Sequence, residues 1–317
     1  MARMFVEGWA PEYGAPFDPD DQLAPAEGEI DATVERSDWE PLEGADDGCD
    51  RISFVDGVRR VDARLLMDDP AAGPIPGICG TFAVGATTWH RGERRSEVRD
   101  VKVERWAVLA GGHVDELPAV DLEPPYRSTT TPSEDPSHLV KELHTRMRRA
   151  EGELASSIGA GAFVVADGPL NRPLAPLPVV GYVKTHRVTY LPAAQNAVIA
   201  ELAPGQRTPL FAIAADRPDV CRYSWYVRLA MLRGGHSWTG VVRCEASGRL
   251  ATDEVRTIAD RTAALLPLVG SEPHIDPRAP QNLVPIGALE RELRHRMGDP
   301  GLVYRALRHA VSEREAS

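Results

Sequence analysis

Two apolar runs in the chain end on an aspartate followed by glycine: Ile52-Ser53-Phe54-Val55-Asp56-Gly57 and Ala162-Phe163-Val164-Val165-Ala166-Asp167-Gly168. β-Branched and aromatic residues dominate both, the composition of a short buried strand. An aspartate at such a strand end stands beside the core and still faces solvent. The glycine after it admits a positive φ and leaves room for close approach. Either Asp-Gly alone also reads as a hairpin or β-turn. Two of them on matching strand ends are suited to hold divalent metal between them, and they make a metal-dependent phosphodiesterase the leading expectation.

A two-metal site holds its ions about 3.5–4 Å apart across the scissile phosphate, one generating hydroxide and the other stabilising the departing oxygen. Hard oxygen ligands suit magnesium or manganese. A third carboxylate is needed, and the segment between the two runs offers one. Over residues 136–158 the pattern changes: Leu139, Leu143, Met147 and Leu154 recur near every 3.6 residues, with Ser133 as a candidate cap, which predicts a helix. It carries Glu142, Glu151 and Glu153. Glu151 follows Met147 by four residues and shares its core-facing side, whereas Glu153 lies about 200° further round. Glu151 is preferred, although a helix glutamate taken alone is most often solvated.

The elements that must position these groups are legible in outline. Residues 1–50 are acidic, proline-containing and weakly periodic, and read as a partly ordered arm; residues 51–317 read as the folded domain. Within that domain, strands are expected at 51–56 and 60–67 around a turn at Gly57, then at 78–90, 98–109, 162–166 and 179–185. Later strands are expected at 208–213, 223–232 and 239–245, and helices at 253–266, 286–296 and 301–312. Three strands, a helix, a strand and further helix is the order of an RNase H-like α/β core, a mixed central sheet flanked by helices, here with added strands and the acidic arm. Trp225 and Tyr226 read as core rather than as base-stacking platforms.

Net charge is −11, which argues against nonspecific coating of nucleic acid but not against a nuclease. Acid is concentrated before residue 51, and arginines cluster elsewhere, Arg59 and Arg60 among them. Cys49, Cys79, Cys221 and Cys244 show no CxxC spacing and read as reduced thiols of a cytoplasmic protein. No run approaches the 18 or more apolar residues of a membrane span, and the start lacks the apolar stretch of a signal peptide. There is no GxxxxGK[ST], GxSxG or GxGxxG in the required context, which removes the P-loop, common hydrolase and dinucleotide readings.

The order of three short pieces resembles the NurA nuclease family. Phe54-Val55-Asp56-Gly57-Val58-Arg59 resembles that family's opening Asp-Gly motif. Val165-Ala166-Asp167-Gly168-Pro169-Leu170 resembles its second, usually Asp-Gly-Ser-Leu. Val180-Gly181-Tyr182-Val183-Lys184-Thr185 resembles its Gly-x-x-Lys strand. The likeness spans roughly residues 51–300. It implies an RNase H-like fold, manganese-dependent 5′-to-3′ DNA nuclease activity in double-strand break processing, a homodimer with a central channel, and a HerA-like hexameric ATPase partner. On the family pattern Asp56, the helix glutamate and Asp167 are the metal ligands. Lys184 then fits a phosphate contact, although it also fits an edge-strand gatekeeper. Arg59 and Arg60 are the accompanying candidates for DNA contact.

One family feature is missing. Where those nucleases carry a histidine before the final helices, this chain has Gln281 or Asn282, with His274 just upstream as a substitute ligand and Asp276 as another. Two function classes follow: a metal-dependent DNA exonuclease or endonuclease, or a catalytically weakened adaptor or DNA clamp for a motor ATPase.

Overall fold

Apolar side chains alternate along residues 51–69 and again along 73–90, and these two stretches form the long antiparallel pair on which the molecule is built. The computed structural model describes residues 3–6, 29–159, 162–170, 177–184, 189–214, 221–232, 237–276 and 279–316. Strands β1 (Arg3–Val6), β2 (Ile30–Asp31), β3 (Leu42–Glu43), β4 (Arg51–Asp69), β5 (Gly73–His90), β6 (Arg95–Leu109) and β7 (Tyr126–Thr130) precede helix α1 (Ser137–Gly159). Then come β8 (Phe163–Asp167), β9 (Val179–Val183), α2 (Ala193–Glu201), β10 (Gln206–Arg207), β11 (Phe211–Ile213), β12 (Arg222–Arg228) and β13 (Val241–Ser247). Helices α3 (Thr252–Leu265), α4 (Val284–Arg296) and α5 (Pro300–Ala316) follow.

The result is a mixed α/β architecture in which one large, mostly antiparallel sheet is flanked by helices. Its main path runs β2-β11-β12-β13-β9-β8-β4-β5-β6-β7. The parallel pairings β4–β8 and β8–β9 lie at its centre. Helix α1 covers one face, where Leu139, Leu143 and Met147 meet Val61, Phe82 and Val108. Opposite it, Val255, Ile258 and Ala259 of α3 pack on Ile52, Phe54, Val165 and Trp225, and Leu289 and Leu293 of α4 pack on Val58 and Ala83. Trp225 and Tyr226 are both buried.

Gly57 is not the turn that its sequence suggests. It pairs with Val84 inside β4, and pairing continues from Arg51 opposite His90 to Asp69 opposite Gly73. So long a ladder outweighs a local Asp-Gly turn preference. The reversal falls at residues 69–73, where Gly73 has φ 77° and Asp69 Oδ1 accepts the N–H groups of Ala71 and Ala72. The helix cap also differs from expectation: Asp135 Oδ1, not Ser133, accepts the Ser137 N–H.

Residues 29–50 are woven into the sheet. Ile30–Asp31 pairs with β11 and Leu42–Glu43 with β10. Between them Glu35 reaches the buried Arg207, accepting from NH1 at 2.8 Å and NH2 at 2.9 Å, while Asp260 takes Nε at 2.6 Å. Two carboxylates thus neutralise one guanidinium out of water. Removing one partner of a buried pair leaves an uncompensated charge, which costs about 3–5 kcal/mol. Glu35→Ala should therefore lower unfolding free energy by that order in urea denaturation, whereas Asp38→Ala, at an exposed pair with Arg36, should leave the midpoint unchanged.

Candidate active site

Asp56 and Asp167 become neighbours through strand register. β8 runs parallel to β4 with Val55 opposite Ala166, so the next residue on each strand is an aspartate. Alternation puts both on the face that buries Phe54 and Val165. β9 lies parallel on the far side of β8 with Tyr182 opposite Asp167, and Lys184, two residues on, returns to that face. Asp167 and Lys184 thus stand at the carboxyl ends of β8 and β9, whereas Asp56 lies within β4, which runs on to Asp69.

Lys184 Nζ donates to Asp167 Oδ2 at 2.9 Å and to Asn282 Oδ1 at 3.0 Å, and Asn282 Nδ2 donates to Asp276 Oδ2 at 2.5 Å. Asp56 Oδ1 accepts its neighbour's N–H from Gly57 at 2.7 Å. Glu151 comes from the other side of β4, on α1. A Cβ at Gly57 would stand 2.4 Å from Glu151 Oε1 and 3.0 Å from Met147 Cγ, so only glycine lets this carboxylate lie against the strand beside Asp56. Glu151 is 5 % exposed. Glu153, exposed for 60 % of its side chain, pairs instead with Arg149, and Glu142 with Arg146.

Arg148 binds this assembly together. Its NH1 donates to Glu151 Oε2 at 2.7 Å and to the Asp167 carbonyl at 2.6 Å, and NH2 donates to the Pro169 carbonyl at 2.9 Å. Gly168 makes the seat possible: its φ is 86°, and a Cβ there would meet the Arg148 guanidinium at 2.8 Å. The same turn is held from behind by the Gly168 N–H on the Tyr182 carbonyl and by the Leu170 N–H on buried Glu245.

Asp56 is 6 % exposed. Burial, then the negative charges of Asp167 and Glu151, push its carboxyl well above the usual carboxylate range, with Lys184 pulling the other way and Glu290 adding to the rise. Burial lowers the Lys184 ammonium, but Asp167 and Asp56 outweigh it and the net shift is upward. Glu290 was not foreseen. It lies on α4 four residues after buried Ile286 and three before buried Leu293, the same face logic that singles out Glu151. Arg148 was missed because its partners are mostly backbone carbonyls, to which sequence gives no clue.

Two expectations need correction. Arg60 does not point toward a ligand: its Nε donates to buried Asp62 at 2.7 Å and its NH1 to the Gly298 carbonyl at 2.9 Å. A bulge between Val61 and Ala63 turns Asp62 inward, and Arg60 is the counter-charge. Its neighbour Arg59 is half-buried and lies on the α1 side of β4, opposite the face that carries Asp56. His274 sits in an exposed turn, 72 % of its side chain in solvent, with Nδ1 3.3 Å from Glu272 Oε2. Buried Asn282, not His274, reaches Lys184.

The donor chemistry fits a hard divalent cation: Asp56, Glu151 and Asp167 offer only oxygens, and Asp167 Oδ1 is buried without a hydrogen-bond partner. As the side chains stand, no three Asp, Glu, His or Cys groups among the described residues are gathered to grip one ion. Arg148 and Lys184 occupy carboxylate oxygens that such a grip would need.

No protein-family model and no curated protein matches the sequence. Among solved structures, that of the NurA nuclease from Sulfolobus solfataricus is similar over 72 % of this chain and 76 % of that chain, at 12 % identity and a TM-score of 0.41.

Two predictions follow from the packing and charge of this site. Gly57→Ala should destabilise by about 1–3 kcal/mol through crowding of Glu151 and Met147. Gly152→Ala, whose added methyl meets nothing within 4 Å, should stabilise α1 by about 0.5–1 kcal/mol in the same denaturation assay. For Asp56, a raised folded-state pKa means that stability is fully present below the ordinary carboxylate range and is lost as pH rises through the raised value. Asp56→Asn keeps an acceptor for the Gly57 N–H and removes the charge. In chelator it should melt higher than wild type at pH 8, with the gain vanishing near pH 4; a gain that grows toward acid pH would contradict the assignment.

Proposed function

We propose that this chain is a metal-dependent DNA nuclease, hydrolysing phosphodiester bonds with two divalent ions in double-strand break end processing. The observation that carries the reading is the convergence of Asp56 of β4 with Asp167 and Lys184 at the ends of the adjacent parallel strands, with Glu151 brought beside Asp56 over Gly57. The Asp-Gly, Asp-Gly and Gly-x-x-Lys order in the sequence supports it, as does the buried, unpartnered Asp167 Oδ1. An RNase H-like core, with α1 supplying the middle carboxylate, is part of the same proposal.

Asp56, Glu151 and Asp167 are the residues that would hold magnesium or manganese, and the charge of Glu290 also reaches Asp56. When bound, the ions would supply an activated water and neutralise charge on the leaving oxygen. Lys184 holds a proton-bearing, positively charged Nζ against Asp167, from which it can contact a phosphate oxygen. Asn282 fixes that ammonium and in turn leans on Asp276. The raised Asp56 pKa favours a neutral carboxyl until a cation arrives, so metal binding should release a proton. Cleavage polarity is left open between 5′-to-3′ exonuclease and endonuclease. A homodimer and a HerA-like hexameric ATPase belong to the proposal through the motif resemblance, and a cytoplasmic location through the scattered cysteines without CxxC spacing. Among the described residues no helix is long and apolar enough to cross a membrane.

A second reading, an adaptor or DNA clamp with weakened catalysis, is favoured by one observation. Gln281 or Asn282 stands where the resembled family has histidine, and Asn282 is hydrogen-bonded to Lys184.

The two readings separate on one assay. Purified protein incubated with single- and double-stranded DNA plus manganese or magnesium should cleave, and chelator should stop it. Asp167→Ala should remove cleavage, by on the order of 1,000-fold or more for a lost ligand to a catalytic ion. Glu151→Gln should fall far below Glu153→Gln, which keeps near-wild-type rates. Equal losses in the two glutamate variants would mean that the wrong face of α1 was assigned, and full activity in Asp167→Ala would remove the site.

A further inference from the structure

The geometry points to Arg148 and Lys184 as built-in counter-cations that hold the metal-free site and compete with a divalent ion for its carboxylate oxygens. This rests on the proposed metal-dependent reading and adds a regulation of that site.

The Arg148 seat is specific. Three oxygens converge on the guanidinium, Glu151 Oε2 and the carbonyls of Asp167 and Pro169, at 2.6–2.9 Å. The left-handed Gly168 leaves space for it, and the turn carrying those carbonyls is tied to β9 and to Glu245. Such a constellation of hard oxygens is what a cation needs, and here a side chain from the same helix as Glu151 fills it. Lys184 does the equivalent for Asp167, with its Nζ between Asp167 Oδ2 and Asn282 Oδ1.

The electrostatics explain why both are present. Carboxylates crowded in a buried place repel, and burial penalises each charge. Asp56 and Glu151 are both nearly out of water here. Two cationic side chains offset that penalty in the absence of metal. A divalent ion must take Glu151 Oε2 from Arg148 and Asp167 Oδ2 from Lys184. Arg148 keeps its two carbonyl partners after that exchange, so only one of its contacts is lost.

Competition has a direction that ordinary support of the site does not. If Arg148 and Lys184 only positioned the carboxylates, their removal would weaken metal binding. If they compete with metal, removal tightens it, by about 10-fold for one charge-assisted hydrogen bond of roughly 1.5 kcal/mol. Mn²⁺ binding to the full chain, without DNA, is read by isothermal titration calorimetry for wild type, Arg148→Met, Lys184→Met and Asp167→Asn. Folding of each is checked by circular dichroism, with Arg148→Gln and Lys184→Gln as replacements for a methionine variant that does not fold. Tighter Mn²⁺ binding than wild type in Arg148 or Lys184 variants supports the competition, assigned to whichever side chain gives it. Binding that is unchanged or weaker in both overturns it. Failure of the underlying metal reading looks different: wild type then binds no Mn²⁺, or Asp167→Asn binds it as well as wild type does.

Discussion

Asp56 lies inside a 19-residue strand, almost out of water, within the fields of three other carboxylates. Much of the surrounding architecture answers to that placement. An ionised carboxyl in such a position is strongly disfavoured unless cations or donors face it. The Gly57 N–H donates to Asp56 itself, while Lys184, just past β9, pairs with Asp167 and Arg148 of α1 pairs with Glu151. Gly57 must lack a side chain for Glu151 to come close, and Gly168 must adopt positive φ for Arg148 to seat. Both glycines of the two Asp-Gly pairs therefore matter for packing around the aspartates, in two different ways.

The same solution, a buried carboxylate saturated by arginine and backbone, recurs across the sheet. Asp62 at the β4 bulge accepts from Arg60 and Tyr126, and from the Thr81 hydroxyl at 2.5 Å. Glu245 faces Arg243 and Arg222 and holds the Leu170 N–H. Glu35 and Asp260 enclose Arg207. Buried ion pairs contribute little net stability against apolar packing, but breaking one is expensive, so they fix register. Glu245 shows the link to the site, because its contact with Leu170 anchors the turn that follows Asp167.

How much of this was legible in the sequence depends on how local its cause is. The α1 stripe of Leu139, Leu143 and Met147 is a local periodic signal, and it put Glu151 rather than Glu153 toward the sheet, which is where the structure has it. The apolar runs before Asp56 and Asp167 marked strands for the same reason. Gly57 misled because Asp-Gly chemistry is local, while the ladder with β5 that overrides it is set by residues up to 39 apart in the chain. Arg60 misled because its partners at Met297 and Gly298 lie more than 230 residues away. The short strands at residues 30–31 and 42–43 carry too few residues for any periodicity, and acidity there masked Glu35, whose charge is consumed inside the protein. His274 was proposed by proximity in sequence to a missing histidine; a surface turn takes it into solvent instead.

Exposure around the cluster is graded, and the gradient gives the site a direction. Asp56 and Glu151 are nearly closed off, while the side chains of Asp167 and Lys184 remain 21 % and 17 % accessible and that of Arg148 18 %. Asp56 lies beneath the flank of α4, whose Leu289 and Leu293 pack on Val58, and Glu151 lies under α1. β8 covers the edge of β4 only from Ile52 to Val55, so its carboxyl end stops just where the aspartates begin. Asp167, Lys184 and Arg148 therefore lie nearer solvent than the two deeper carboxylates. The cationic side chains stand at the mouth and the least solvated acid at the back.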